Sequence, residues 1–266
     1  MSLIIFSHGN SFPAGTYGAM FRSLRARGYT VRAIEKLGHD PRFPVTSNWP
    51  HLVRQLAEFA RTEIAAHGAP AYLVGHSLGG FLSLMAAARH PELARGVVML
   101  DSPLVGGWRA NALALAKRTG LIGSVSPSAV SHKRRNRWAN AQDALAHFQG
   151  KRAFARWEPQ VLDDYIAHGT HDEGGQRALS FDRAVESAIY NNLPHNMDRL
   201  LRTHPLHCPV AFIGGTESDE MKRVGTGMTY RVAKGRITLL GGSHLFPMEA
   251  PLAAAAAIDA AIRQMA

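Results

Sequence analysis

A mostly parallel α/β architecture is predicted by three features of this 266-residue sequence. Short apolar runs alternate with helical patterns through its first half, as in strands joined by crossover helices. Strand-like runs resume after residue 205, and one strand passes into its helix through a sharp glycine-rich turn.

The elements follow in order. A strand over residues 3–7 meets a Gly/Asn/Pro loop and a helix over 17–27. A second strand over 30–35 leads through a turn-rich stretch to a helix over 49–67, with Leu52, Leu56, Phe59 and Ile64 near one face. Gly68 and Pro70 end that helix. A third strand over 71–75, a turn, an apolar helix to residue 90 and a strand over 96–101 complete the regular alternation. From Pro103 to Pro205 the pattern reads as helical throughout. Strands return at 209–214 and 236–241 around a helical stretch over 219–234, and an alanine-rich helix over 251–265 closes the chain. The expected layout is a core of residues 1–102 and 206–266 under a helical cap of residues 103–205.

Composition narrows the function classes. With 46% apolar residues there is material for a large core. No apolar run reaches the roughly 18 residues that span a bilayer, so no membrane partner is expected. The first six residues lack the basic segment and cleavage site of a signal peptide. A single cysteine, Cys208, excludes an internal disulfide. A reducing, cytoplasmic setting is therefore expected. The formal charge of +10 is spread along the chain apart from Lys133-Arg134-Arg135-Asn136-Arg137, and no nucleic-acid reader motif accompanies it. Nucleic acid is not an expected partner.

The chemistry is carried by Gly75-His76-Ser77-Leu78-Gly79-Gly80, placed between Ala71-Tyr72-Leu73-Val74 and an apolar helix. This is G-x-S-x-G in a strand–turn–helix context, which marks a nucleophile elbow. The serine occupies a strained bend, and glycines two residues either side avoid collision with the neighbouring strand and helix. The helix amino terminus directs free N–H groups at the same place.

Four segments in order resemble the α/β-hydrolase superfamily, and the resemblance runs over nearly the whole chain. Ile4-Ile5-Phe6-Ser7-His8-Gly9-Asn10 resembles its strand-plus-HG segment, Gly75 to Gly80 its elbow, Lys36-Leu37-Gly38-His39-Asp40 its G-H-G loop, and Gly242-Ser243-His244 its histidine loop. The resemblance implies an α/β-hydrolase fold in the style of capped esterases, with Ser77 as nucleophile and His244 as base. Serine at 77 argues against the dehalogenases, which use aspartate. Two strands that usually precede the HG segment have no counterpart here, so a sheet of about six strands is expected.

The acid is left open. The family's usual place, after the strand over 209–214, holds Ser218, with Asp219 one residue on and Glu217 and Glu220 nearby. The other place used in the family, after the strand over 96–101, holds Asp101. Asp101 is the first choice and Asp219 the alternative. The oxyanion hole is expected from the backbone N–H groups of Asn10 and Leu78, with Asn10 equally readable as a turn former. Trp108, Trp138, Trp157, Phe148, Phe154, Tyr165 and Phe181 either pack the cap or line a cleft. Arg134, Arg135 and Arg137 either hold an acidic substrate group or form a solvated face. Cys208 reads as a small buried residue. No metal spacing and no phosphate or dinucleotide fingerprint occurs, so neither a metal nor another cofactor is expected. The implied activity is hydrolysis of a small-molecule carboxylic ester or related acyl compound. The alternatives are a lyase or cofactor-free oxidative enzyme on the same groups, or a non-catalytic binding member of the fold.

Overall fold

The computed structural model describes residues 1–118, 131 and 134–265. The first part of the chain forms β1 (Ser2–Ser7), α1 (Gly18–Ala26), β2 (Tyr29–Ala33), α2 (Pro50–His67), β3 (Ala71–His76), α3 (Leu78–Arg89) and β4 (Ala94–Leu100). An insertion carries α4 (Gly107–Arg118), β5 (Arg137–Trp138), α5 (Ala141–Gln149), α6 (Pro159–Gly169), β6 (Thr170–Glu173), β7 (Gln176–Leu179), α7 (Arg183–Asn191) and α8 (Met197–Thr203). The chain then completes β8 (Val210–Gly215), α9 (Asp219–Val224), α10 (Gly227–Ala233), β9 (Ile237–Leu240), α11 (Phe246–Glu249) and α12 (Pro251–Arg263). Among the described residues no helix is long and apolar enough to cross a membrane.

The main sheet has six strands in the order β2-β1-β3-β4-β8-β9, and every pairing is parallel. Its strands are apolar at consecutive positions because both faces are covered. Leu3 and Ile5 enter the core under α2 and α3, while Ile4 and Phe6 enter the opposite core with α1 and α12. Val97 and Met99 alternate with Val98 and Leu100 in the same way. The order reverses between β1 and β3, which opens a crevice at their carboxyl ends where α/β sheets bind ligands. Both the HG loop and the elbow leave the sheet at that point.

The turn after β3 is as tight as its glycines imply. A Cβ on Gly75 would lie 2.1 Å from the backbone of Gly79, and one on Gly79 would lie 1.9 Å from the carbonyl oxygen of Ser7. No side chain fits at either position, because β1, β3 and α3 meet there backbone to backbone. Ser77 is left at φ 52°, ψ −116°, a strained conformation held by its neighbours.

Two expectations are corrected. The insertion is not helical throughout: β5, β7 and β6 form a small antiparallel sheet. The hairpin turns at Gly174 and Gly175, at φ +57° and +77°, as a two-residue primed turn requires. That Gly-Gly pair is its sequence cue; the flanking Thr170-His171-Asp172-Glu173 carries no apolar alternation. Likewise the helical stretch over 219–234 is two short helices, interrupted at Gly225 with φ 79°.

The described aromatic residues of the insertion pack against one another. Phe148, Phe154, Trp157 and Tyr165 interlock with centroid separations of 4.5–5.7 Å, and Phe12 of the HG loop docks on Trp157 and Tyr165. Trp138 joins through Phe148, and Phe181 packs on His8 and His39. The side chain of Trp108 and residue Lys133 lie outside the described residues. The arginine run divides: Arg137 is half-exposed and paired with Glu173, whereas Arg134 turns inward to Glu186 at 3.0 Å. Burial pushes the Cys208 thiol up to about 11, which keeps it protonated and unreactive.

Candidate active site

Three side chains from distant parts of the sequence meet at the carboxyl edge of the sheet. Ser77 stands at the bend between β3 and α3, with its hydroxyl 3.1 Å from Nε2 of His244. Nδ1 of His244 lies 2.8 Å from Oδ2 of Asp101, which follows β4. A carboxylate only accepts, so Nδ1 carries the proton and Nε2 presents its lone pair to the serine. Asp101 is fully buried at φ 42°, its N–H donating to the Ile213 carbonyl at 2.8 Å. The amide of Gly215 lies 3.4 Å from its second oxygen.

Of the two candidate acids, Asp101 is the one that reaches the imidazole. Asp219 is 74% exposed in its side chain and pairs with Lys222 at 3.3 Å. Glu217 pairs with Arg156. Glu220 does approach, with Oε2 3.7 Å from Nδ1 of His244. Burial opposes a charged His244, but the hydrogen bond to Asp101 and the charges of Glu220 and Asp101 outweigh it, holding the pKa above its usual value. Among the described residues Asp101, Glu220 and His244 are the one group with metal-ligand spacing, their atoms lying within 4.8 Å. A cation there would take Nδ1 from Asp101, so we assign the group to the charge balance of the histidine.

The loop bearing His244 is pinned from below. The Ser243 hydroxyl and amide both donate to Glu249, the hydroxyl at 2.5 Å, and Leu245 N–H donates to the same hydroxyl. Arg156 spans Glu217 and Glu249 and so ties the loop after β8 to α11.

Both expected oxyanion donors lie beside the serine in the chain topology. Leu78 is the first residue of α3, whose opening amides have no acceptor within the helix. Asn10 is buried in the HG loop, where Phe12 N–H closes a turn on the Gly9 carbonyl and Ser11 sits at φ 76°. Its side chain is engaged as well, Nδ2 donating to the Glu186 carbonyl at 3.1 Å, so turn and side-chain roles coexist. Glu186 in turn accepts from Ser131 at 2.9 Å. The tie between Asn10 and the insertion is not legible in the sequence, since it joins positions 176 residues apart.

A six-stranded parallel sheet with a hydroxyl, an imidazole and a carboxylate in line at a strand–turn–helix bend is the arrangement of the α/β-hydrolase fold class. The chain belongs to the alpha/beta hydrolase family, whose model matches residues 4–258. It is similar to the rat monoglyceride lipase, with 32% identity over 108 residues that span 39% of this chain and 35% of the relative. It is also similar to a monoglyceride lipase homolog of monkeypox virus, at 26% over 132 residues spanning 48% of this chain and 47% of the relative. The chain thus spans half or less of the length of these relatives. Among solved structures, E-2-(acetamidomethylene)succinate hydrolase superimposes with a TM-score of 0.75 at 20% identity, over 98% of this chain and 91% of that one. At that identity the likeness speaks for the fold.

Proposed function

We propose that the protein is a serine hydrolase acting on a small-molecule carboxylic ester or related acyl compound. The observation that carries this reading is the continuous series from Ser77 Oγ to His244 Nε2 at 3.1 Å and from His244 Nδ1 to Asp101 Oδ2 at 2.8 Å. Serine is a weak nucleophile until a base takes its proton, and this series supplies the base and fixes its tautomer. In the proposed mechanism Ser77 Oγ attacks the acyl carbonyl while its proton passes to His244 Nε2. Asp101 stabilises the imidazolium so formed. The oxyanion is held by the N–H groups of Asn10 and Leu78, each contributing about 3 kcal/mol in the transition state. His244 then protonates the leaving alcohol, and water activated by the same imidazole releases the acid. The likeness to monoglyceride lipase supports an ester substrate. Residues 103–205 are proposed as a cap that shapes the substrate site over the core of residues 1–102 and 206–266. With a single cysteine in the sequence, the reading includes a reducing, cytoplasmic setting.

A fluorophosphonate probe and a series of p-nitrophenyl esters test this reading. One equivalent of probe is expected on Ser77, together with a pre-steady-state burst of p-nitrophenol from acyl-enzyme accumulation. Failure of the folded protein to react with the probe and with every ester would end the proposal.

The pH profile has a signed expectation. Activity requires neutral His244, so kcat/KM rises with pH through the pKa of this residue, which lies above the usual histidine value. Glu220→Gln removes a negative charge 3.7 Å from Nδ1 and leaves Asp101 in place. The imidazolium loses support, its pKa falls, and the acid limb moves to lower pH. Because Glu220 is 39% exposed, the displacement shrinks in 1 M salt. An acid limb identical to that of the wild type would remove Glu220 from this account.

A further inference from the structure

We infer that Tyr17 and His76 are positioning residues that hold the oxyanion loop and the base loop in one register, through a single directed chain of hydrogen bonds. The chain has three links. Gly9 N–H donates to the Tyr17 hydroxyl at 2.9 Å, the Tyr17 hydroxyl lies 2.7 Å from His76 Nδ1, and His76 Nε2 lies 2.9 Å from the His244 carbonyl oxygen.

The direction of every link is determined. A carbonyl oxygen only accepts, so His76 Nε2 carries a proton and donates to His244. Burial, helped by the neighbouring His244, pushes the pKa of His76 down to about 3, so the ring is neutral and Nδ1 is an acceptor. Tyr17 must therefore donate to Nδ1, which leaves its oxygen to accept from Gly9. Burial also drives the Tyr17 hydroxyl well above its ordinary pKa, so it keeps that proton.

The Gly9 carbonyl is fixed as well. Leu37 N–H donates to His8 Nε2 at 2.8 Å, so Nδ1 of this neutral ring, its pKa lowered by burial to about 4, donates to the Gly9 oxygen at 2.7 Å. The residue before Asn10 is thus clamped at its N–H by Tyr17 and at its carbonyl by His8. With the Gly9 amide occupied, the amide of Asn10 is the next donor along the loop. A Cβ on Gly9 would lie 2.9 Å from His76 Nδ1 and 3.1 Å from the Tyr17 oxygen, so the clamp also requires glycine there.

At its other end the chain grips the backbone of the residue whose ring serves Ser77. His76 packs on that ring at 5.0 Å between centroids. The groups facing His244 are then Asp101 after β4, Glu220 of α9, His76 of β3 and Ser77; of these His76 is the one that stays uncharged and linked to the HG loop. Oxyanion donors and base act on the same reacting carbonyl, and misplacement of either by about 1 Å is worth about a hundred-fold in rate. A rigid connection between them therefore has a kinetic consequence that packing alone would not have.

The kinetic part of the test rests on the serine-hydrolase reading, while the spectroscopic part does not. Tyr17→Phe keeps the ring and removes the link. His76→Gln keeps a donor at the Nε2 end facing His244 but loses the acceptor facing Tyr17. His76→Asn keeps the acceptor and loses the donor. For Tyr17→Phe and His76→Gln we expect kcat on a p-nitrophenyl ester to fall about 10- to 100-fold, with KM within about three-fold of wild type. Because both cut the same chain, the double variant should lie within about three-fold of the worse single variant. In Tyr17→Phe the Gly9 amide should exchange with solvent at least about ten times faster by NMR, and the ring resonances of His244 should shift although the hydrogen bond removed is to His76. His76→Asn should keep Gly9 protected and still shift His244. Unchanged Gly9 exchange in folded Tyr17→Phe, an unmoved His244, or losses that multiply in the double variant would each overturn the coupling. A wild-type protein inert toward esters would instead count against the hydrolase reading, leaving the exchange and resonance data to decide the coupling.

Discussion

Ser77→Ala is expected to lower kcat/KM toward any ester substrate by about 10⁴- to 10⁶-fold while leaving the melting temperature close to that of the wild type. The size follows from the proposed role: without Oγ no acyl-enzyme would form, and the residual rate would come from oxyanion donors and substrate binding alone. The intact fold follows from the structure. The strain at φ 52° is held by backbone contacts, with Ser77 N–H donating to the Leu100 carbonyl at 2.9 Å and Ser102 donating to the Ser77 carbonyl at 2.8 Å. Alanine keeps all of these and gives up one side-chain bond to His244. Steady-state kinetics and thermal unfolding of the same preparation decide the matter. Activity within ten-fold of wild type would remove Ser77 from the mechanism.

Asp101→Asn is expected to cost about 10³- to 10⁴-fold in kcat. The amide can offer its NH₂ to Nδ1 of His244, which then becomes the acceptor and places the ring proton on Nε2, facing the serine. The base is lost although the geometry is kept. The residual rate is expected from the oxyanion donors and substrate binding. Asp219→Asn is the matched control. Its side chain is 74% exposed and paired with Lys222, so its loss should change kcat by less than about two-fold. The reverse order of effects, with Asp219→Asn the more damaging, would return the acid to the loop after β8.

These two variants probe residues that the sequence reveals to different degrees, Ser77 by its motif and Asp101 only as one candidate beside Asp219, Glu217 and Glu220. The parallel sheet is legible because its strands are buried on both faces and its crossovers are helices, so apolar runs such as Leu3-Ile4-Ile5-Phe6 and Val97-Val98-Met99-Leu100 stand out. The elbow is legible because backbone-to-backbone contact at Gly75 and Gly79 excludes every side chain, and a constraint that severe is written in residue type. The small sheet of the insertion is not, because β5 is two residues long, β6 is polar throughout, and the turn signal is confined to Gly174 and Gly175.

By itself the sequence determined the chain order of strands in the six-stranded core and the placing of Ser77 and His244 on turns after strands, but not the elements of the insertion. Tertiary structure alone showed that Asp101 and not Asp219 contacts the imidazole, since neighbours in a parallel sheet come from distant chain segments. In the sheet order, β4 lies between β3 and β8, so the residue following β4 reaches an imidazole that a carboxylate at the start of α9 approaches less closely. The link from Gly9 through Tyr17 and His76 to His244 is of the same kind. It depends on three-dimensional proximity at the ends of β1, β3 and β9, and hydrogen-bond partners this far apart leave no periodic trace in a single chain.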